Sequence, residues 1–264
     1  MVYAKKSLGQ HFLTSEKALR TMVRSANLTP GEIVLEIGPG KGALTLPLLE
    51  AGAHVIAIEK DNDMVSVLEK TALQWIQRGA LTLVSGDIRA LDSDTLEALV
   101  PKKHYKVIAN IPYYITGEII RQFLTIEPQP TSMTLLIQKE VAERIARDTK
   151  ESILSLSVKV YGTPRYIETV PAGAFSPPPS VDSAILHIQN ITKSTFEHVD
   201  EHSFFRAVKC GFASRRKQLR GNLRIQYEDA KIAEAFRSCN LRQDIRAEDV
   251  SCEQWITIAT ILNS

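Results

Sequence analysis

From about residue 14 to residue 150 the chain alternates two hydrophobic rhythms. Short apolar runs at 33–37, 54–58, 81–84, 106–109 and 133–138 predict strands. Several are apolar throughout, as strands covered on both faces are. Between them, helical spacing of apolar residues predicts helices over 16–26, 43–51, 62–78, 117–126 and 140–147. Strand–helix alternation implies right-handed βαβ units and a doubly wound parallel sheet. Near residue 155 the rhythm changes. Two further β-like runs, 156–161 and 183–189, flank a proline-rich loop at 175–179 and are expected at the sheet's edge. Beyond the polar stretch 190–202 the chain reads as helices. The expected architecture is α/β, with a Rossmann-like sheet in residues 1–190 and a small all-helical domain in 200–264.

The chemistry-bearing residues gather at the predicted strand ends. The first strand runs directly into Gly38, Gly40 and Gly42. Glycine permits positive φ and lets a ligand approach the backbone. Glu59 ends the second strand, where ribose hydroxyls are held in folds of this kind. Asp87 follows the third and can accept a hydrogen bond from an adenine amino group. The spacing GxGxG, with Glu36 two residues before the first glycine, differs from the GxGxxG of dinucleotide sites. It resembles S-adenosylmethionine methyltransferases. It is not a phosphate-binding P-loop, because Gly42 stands where Ser or Thr is required.

The fourth strand ends in Asn110-Ile111-Pro112-Tyr113. The lone pair of an adenine N6 is delocalised into the ring, which makes it a poor nucleophile. Two acceptors gripping its hydrogens, the Asn110 side-chain oxygen and the Ile111 carbonyl, would draw it towards tetrahedral geometry. Pro112 stiffens the turn, and Tyr113 offers a flat face for a base. The bland alternative is a turn whose aromatic packs in the core.

Composition adds little. The net charge is +2 over 264 residues, so the distribution of charge matters more than its sum. Arg215, Arg216, Lys217, Arg220 and Arg224 have no acidic residue between them. On one helix Arg216, Arg220 and Arg224 would share a face, opposite an apolar stripe of Phe205, Val208, Phe212, Leu219 and Leu223. Phosphate binding is the expectation, with Lys5 and Lys6 as a second contact. Three cysteines without CxxC spacing argue against a disulfide framework or a cysteine metal site. His198-Val199-Asp200-Glu201-His202 matches a zinc-protease pattern but lies in the expected linker with no third ligand in view, and no metal is expected. The opening residues lack a secretory apolar core, and no stretch is long and apolar enough for a bilayer. A cytoplasmic monomer is expected.

Further stretches are similar to one family. They are Lys6-Ser7-Leu8-Gly9-Gln10-His11-Phe12-Leu13, Gln138-Lys139-Glu140-Val141-Ala142-Glu143-Arg144-Ile145, the run from Val170 to Ser183, Arg215 to Leu223, and Arg246 to Trp255. With the glycine turn and the tetrad, they resemble the KsgA-type ribosomal RNA small-subunit adenine N6,N6-dimethyltransferases, almost end to end. The resemblance implies S-adenosyl-L-methionine as cofactor. It implies small-subunit ribosomal RNA of the immature subunit as partner, with two adjacent adenosines near its 3′ end each methylated twice. Cofactor contacts would fall on His11, Leu13, Gly38, Gly40, Glu59, Asp87 and Asn110, and Phe175 would face Tyr113 across the target base. Two positions depart from the common pattern: His11 and Tyr114 both stand where asparagine is frequent. Alternatives left open are a large-subunit RNA methyltransferase of the antibiotic-resistance type, a DNA adenine methyltransferase and a non-catalytic assembly factor.

Overall fold

The computed structural model describes Lys5, residues 9–101 and residues 104–264. The chain divides into two compact units. One takes in the chain up to Glu143 together with Thr163–Ile191; the other is Arg144–Gly162 with Thr192–Ser264. Residues 144–162, expected with the sheet, group with the helical unit.

The first unit holds a seven-stranded sheet. In chain order the elements up to residue 146 are β1 (Phe12–Leu13), α1 (Glu16–Ser25), β2 (Ile33–Ile37), α2 (Thr45–Glu50), β3 (His54–Glu59), α3 (Asn62–Thr71), α4 (Leu73–Gln77), β4 (Leu81–Ser85), α5 (Ser93–Leu99), β5 (Tyr105–Asn110), α6 (Thr116–Thr125), β6 (Ser132–Gln138) and α7 (Lys139–Ala146). After α8 (Ile153–Lys159) the sheet is completed by β7 (Thr163–Val170) and β9 (Ser183–Gln189), while β8 (Phe175–Ser176) pairs with β1. The sheet order is β4-β3-β2-β5-β6-β9-β7. The first five strands are parallel, and β9 and β7 add antiparallel. This is the Rossmann-like doubly wound sheet the hydrophobic rhythm predicts.

Both faces of the sheet are covered, which explains the uninterrupted apolar strands. Val34, Leu35, Val107, Ile108, Leu135 and Leu136 have no exposure. Burying one such side chain contributes roughly 1.5–3 kcal/mol. The chain runs β2-β3-β4 outward on one side, then crosses back to place β5 on the other side of β2. The carboxyl ends of β2 and β5 therefore flank the point where strand order reverses, where open α/β sheets bind ligands.

The second unit is helical: α8, α9 (Glu201–Gly211), α10 (Leu219–Leu223), α11 (Asp229–Ser238) and α12 (Cys252–Asn263). Trp255 of α12 is fully buried and stacks on Phe212, ring centroids 5.8 Å apart. Ser251 and Gln254 cap α12 reciprocally.

Three expectations need correction. Residues 156–161 do not form a strand: they lie within and just after α8, and the edge strand is β7. The alternation in Leu156-Ser157-Val158 suggested period two. Ser152 and Ser155, however, form a capping box that starts a helix, and Ser155 to Val158 are all buried, so no exposed face separates them. The β7 strand tolerates Pro164 because it is at the edge. Second, 62–78 is not one helix. It breaks at the buried Ala72, whose ψ of 17 departs from the helical range. Third, α5 goes beyond the helices that periodicity predicted; Asp92 caps it, accepting from Thr95 N–H at 2.8 Å.

Candidate active site

Residues from the strand ends line one cavity of about 470 Å³ in the first unit. That size suits a small-molecule site. Its walls include Gly38, Gly40, Glu59, Asp87, Asn110, Tyr113 and Phe175, and the segment Gly9 to Thr14. The structure thus brings together the sheet-unit residues singled out in the sequence, including His11 and Leu13.

The glycine turn forms for two separate reasons. Gly38 has φ +64, and an added Cβ there would meet nothing within 4 Å, so its backbone faces open space. Gly40 has φ +56, and its Cβ would come within 3.2 Å of the Phe12 ring. The amide of Gly40 donates to Glu59 Oε2 at 3.0 Å, and that of Asp61 donates to Oε1 at 2.8 Å. One oxygen of Glu59 thereby holds the glycine turn and the other the bend that follows β3. Burial raises the Glu59 pKa nonetheless. Beneath it, Glu36 is 1% exposed, and burial pushes its carboxyl up to about 8, with the neighbouring Glu59 acting in the same direction. The residue lines the cavity with its Oε2 buried, and the Thr45 hydroxyl acts on the carboxyl in the opposite direction to burial.

Asp87 has the opposite environment. Arg89 engages it through Nε at 3.1 Å and an Nη at 2.6 Å, and Lys60 reaches it at 3.0 Å. The Arg89 guanidinium first, then Lys60, hold its carboxyl well below the usual carboxylate range.

The tetrad is fixed from three sides. Asn110 donates its amide nitrogen to the His11 carbonyl at 3.1 Å, which leaves the amide oxygen as an acceptor on the other side. Ile111 N–H donates to Leu136 O at 3.2 Å. The Tyr113 hydroxyl lies 2.7 Å from Ser183 Oγ, and burial raises its pKa. The His11 ring stacks on Tyr113 at 6.2 Å between centroids and 20° between planes, with Nδ1 2.8 Å from Pro177 O. Phe175 is buried in β8, where Leu13 pairs with it.

Sequence reasoning missed several organising residues. Lys5 reaches Asp61 and Asp63, each at 2.7 Å, and Gln10 donates to Asp61 at 3.1 Å. These bonds tie down the segment that forms one wall. Lys5, expected as an RNA contact, is thus paired with two carboxylates; Lys6 lies outside the described residues. An acidic pair 56 and 58 residues away leaves no local signal.

The basic run of the second unit also differs from expectation. The helix ends at Gly211 and resumes at Leu219, so Arg216 is on a loop and cannot share a helix face with Arg220 and Arg224. Arg224 pairs with Asp229 at 2.6 Å, while Arg220 donates to Gln243 at 2.7 Å and lies 3.8 Å from Asp229. Among the described residues Arg215, Arg216 and Lys217 are exposed and make no ion pair. Asn222 holds their loop, donating to Gly211 O at 2.6 Å and Ser214 O at 3.1 Å. Of the expected apolar stripe, Val208, Leu219 and Leu223 are buried, and Phe205 and Phe212 are half-buried. In the His198–His202 stretch, Asp200 caps α9 and Glu201 accepts from Tyr161 at 2.6 Å.

Comparison with known proteins is decisive for the family. The family model for ribosomal RNA adenine dimethylase matches residues 1–264. The chain belongs to this family. It is 40% identical over 275 residues to the ribosomal RNA small subunit methyltransferase A of Trichormus variabilis, covering 99% of each chain. It is 39% identical over 255 residues to the protein of the same name from Dehalococcoides mccartyi, covering 96% of this chain and 86% of that one. Among solved structures it is similar in fold to a dimethyladenosine transferase from Plasmodium falciparum, with TM-score 0.78, 23% identity, and coverage of 94% and 96%. It is similar in fold also to the 23S rRNA methyltransferase ErmE, with TM-score 0.75, 23% identity, and coverage of 96% and 100%. The chain is an S-adenosylmethionine-dependent ribosomal RNA adenine dimethyltransferase.

The residues present fit that cofactor. The Gly38 backbone is bare towards the cavity, and the buried Glu36 carboxyl lies in the same wall. Carboxylates stand at the ends of β3 and β4, where adenosine hydroxyls and an adenine amino group can find acceptors.

Proposed function

We propose that this chain transfers methyl groups to N6 of two adjacent adenosines near the 3′ end of small-subunit ribosomal RNA, giving N6,N6-dimethyladenosine during subunit assembly. The observation that carries this reading is the placement of Asn110. It ends β5 beside the glycine turn, at the strand-order reversal, and its amide nitrogen is committed to His11 O. The side-chain oxygen is then an acceptor facing a cavity that also contains two aromatic rings, Tyr113 and Phe175.

In this reading His11, Leu13, Gly38, Gly40, Glu59, Asp87 and Asn110 hold the cofactor, which supplies an electrophilic methyl group on a sulfonium. Asn110 Oδ1 and the Ile111 carbonyl accept the two N6 hydrogens and localise the nitrogen lone pair. Pro112 keeps the turn rigid; Tyr113 and Phe175 clamp the base. Methylation of N6 would break the methyl–sulfur bond, its electron pair staying on sulfur as a neutral thioether, and the methylated amine would release its proton to water, so the protein need supply no strong base. Catalysis is positioning and electrostatics. The anchored Tyr113 hydroxyl and the His11–Asn110 bond support it, because both fix geometry before substrate arrives.

The helical unit is assigned to RNA binding. Arg215, Arg216 and Lys217 supply the phosphate contacts; Arg220 and Arg224 contribute less, since Asp229 partly neutralises them. Structured RNA is read mainly by shape, with the target base flipped from its stack. The assignment carries with it a cytoplasmic protein acting as a monomer. Among the described residues no helix is long and apolar enough to cross a membrane.

The test supplies labelled S-adenosyl-L-methionine with immature small subunits, large subunits or duplex DNA, and identifies the modified base by mass spectrometry. Dimethyladenosine in the small subunit alone is expected. Label confined to large subunits, or to DNA, overturns the assignment.

A further inference from the structure

The reaction proposed above gives no task to Tyr114, yet Tyr114 is 64% exposed at the rim of the same cavity. The residues Tyr113–Ile115 form a 3₁₀ turn. With three residues per turn, successive side chains leave the axis about 120° apart. Tyr113 is directed to Ser183, and Ile115 is buried in the core. Tyr114 is left on the outer side of the mouth. Among the described residues its hydroxyl makes no hydrogen bond, unlike that of Tyr113. The ring is nonetheless backed: a Cβ on Gly9 would sit 3.2 Å from its Cε1 and 3.4 Å from its Cδ1. A side chain there would crowd the ring, and the φ of +61 at Gly9 favours glycine in any case.

A flat apolar face is thus held at the mouth, one residue from the ring assigned to the target base. Arg89, the cation whose charge acts on Tyr114, is committed to Asp87, so this spot offers stacking rather than a free charge. Every nucleobase has a face to stack, and stacking of this kind is tolerant of sequence.

We infer that Tyr114 is a stacking platform for the nucleotide adjacent to the target adenosine. One adenine enters against Tyr113 while its neighbour rests on Tyr114, so the two adenosines are held as a pair. The inference rests on the RNA reading above.

The full-length chain and its Tyr114→Ala, Tyr114→Phe and Tyr114→Trp variants are compared on unmethylated small subunits. Tyr114→Ala is expected to raise KM for the subunit about tenfold. Its kcat should stay within about twofold, and its affinity for S-adenosyl-L-methionine and the salt dependence of its RNA binding should be unchanged. Phe and Trp should behave as wild type. A hairpin with 2-aminopurine in place of the neighbouring adenine should be quenched on binding by wild type but not by Tyr114→Ala. An unchanged KM, or quenching that persists in Tyr114→Ala, overturns the platform while leaving the function standing. A Phe variant as impaired as Ala would transfer the role to the hydroxyl and also overturn it. Absence of transfer by the wild-type chain would overturn both readings together.

Discussion

The cavity rim of the sheet unit and the basic loop of the helical unit carry their polar groups in opposite ways. At the rim nearly every group is already engaged: Glu59 by two backbone amides, Asp87 by Arg89 and Lys60, Asn110 by the His11 carbonyl. Such groups lose little freedom when a ligand arrives, which is how positioning lowers a barrier. On the loop, Arg215, Arg216 and Lys217 are solvated and unpaired among the described residues. They suit a polyanion that is recognised by charge and by the counterions it releases. Preorganisation serves the chemical step, and solvated charge serves the encounter.

The sharpest break between the two regions should come from Asn110→Ala. It is expected to lower the rate of methyl transfer by about two to three orders of magnitude, the cost of losing one preorganised polar contact. RNA affinity should stay within about twofold. Equal loss of transfer and RNA binding, measured by labelled transfer and by filter binding, would erase the distinction.

The buried side of the rim can be probed through pH. The Glu36 carboxyl is raised from an ordinary value of 4.5 to about 8 by burial. A group raised on folding contributes fully below its unfolded value and loses that contribution as pH rises through its folded value. Stability attributable to Glu36 should therefore fall between about pH 4.5 and 8. Glu36→Gln cannot ionise. Relative to wild type it should gain roughly 2–4 kcal/mol more at pH 8.5 than at pH 5, read by urea denaturation. The same shift at both pH values would mean the carboxyl is not the cause.

The loop should respond to salt instead. Reversing Arg215, Arg216 and Lys217 to Glu is expected to weaken RNA binding about tenfold or more near physiological salt and to flatten the salt slope by roughly 2–3. The same reversal at Arg220 and Arg224 should do less, because Asp229 already offsets their charge. If the two sets are equivalent, the ion pairs do not govern availability. The smallest effect is expected from Asn222→Ala, which frees the loop without removing a charge. RNA affinity should drop about threefold from lost ordering, with the salt slope unchanged; a flattened slope would show that charge had been displaced as well.

The sheet was legible because its signals are local and redundant. Five apolar runs, each bounded by helix-period segments, predict βαβ units whatever the distant chain does, and the observed strands match them to within a residue or two. The glycine turn and Asn110 were legible for the same reason: both sit at strand ends, where the fold itself puts ligands. The stretch 156–161 failed because Leu156-Ser157-Val158 reads alike in either period. What decided it was Ser152, four residues upstream, together with burial on every side.

By itself the sequence determined the element order, the parallel sheet, the glycine turn and the identity of the groups at the strand ends, since each depends on neighbours within a few residues. Only the tertiary structure decided which of those groups are available. It showed that Lys5 is spent on Asp61 and Asp63, that Asp229 offsets Arg220 and Arg224, and that Asn110 is oriented by His11 from 99 residues away. It also left the Tyr114 ring exposed beside a buried Ile115. Charge and hydrogen-bonding capacity are written in the residue types. Whether they are free to act depends on partners that chain folding, not chain order, brings within about 3 Å.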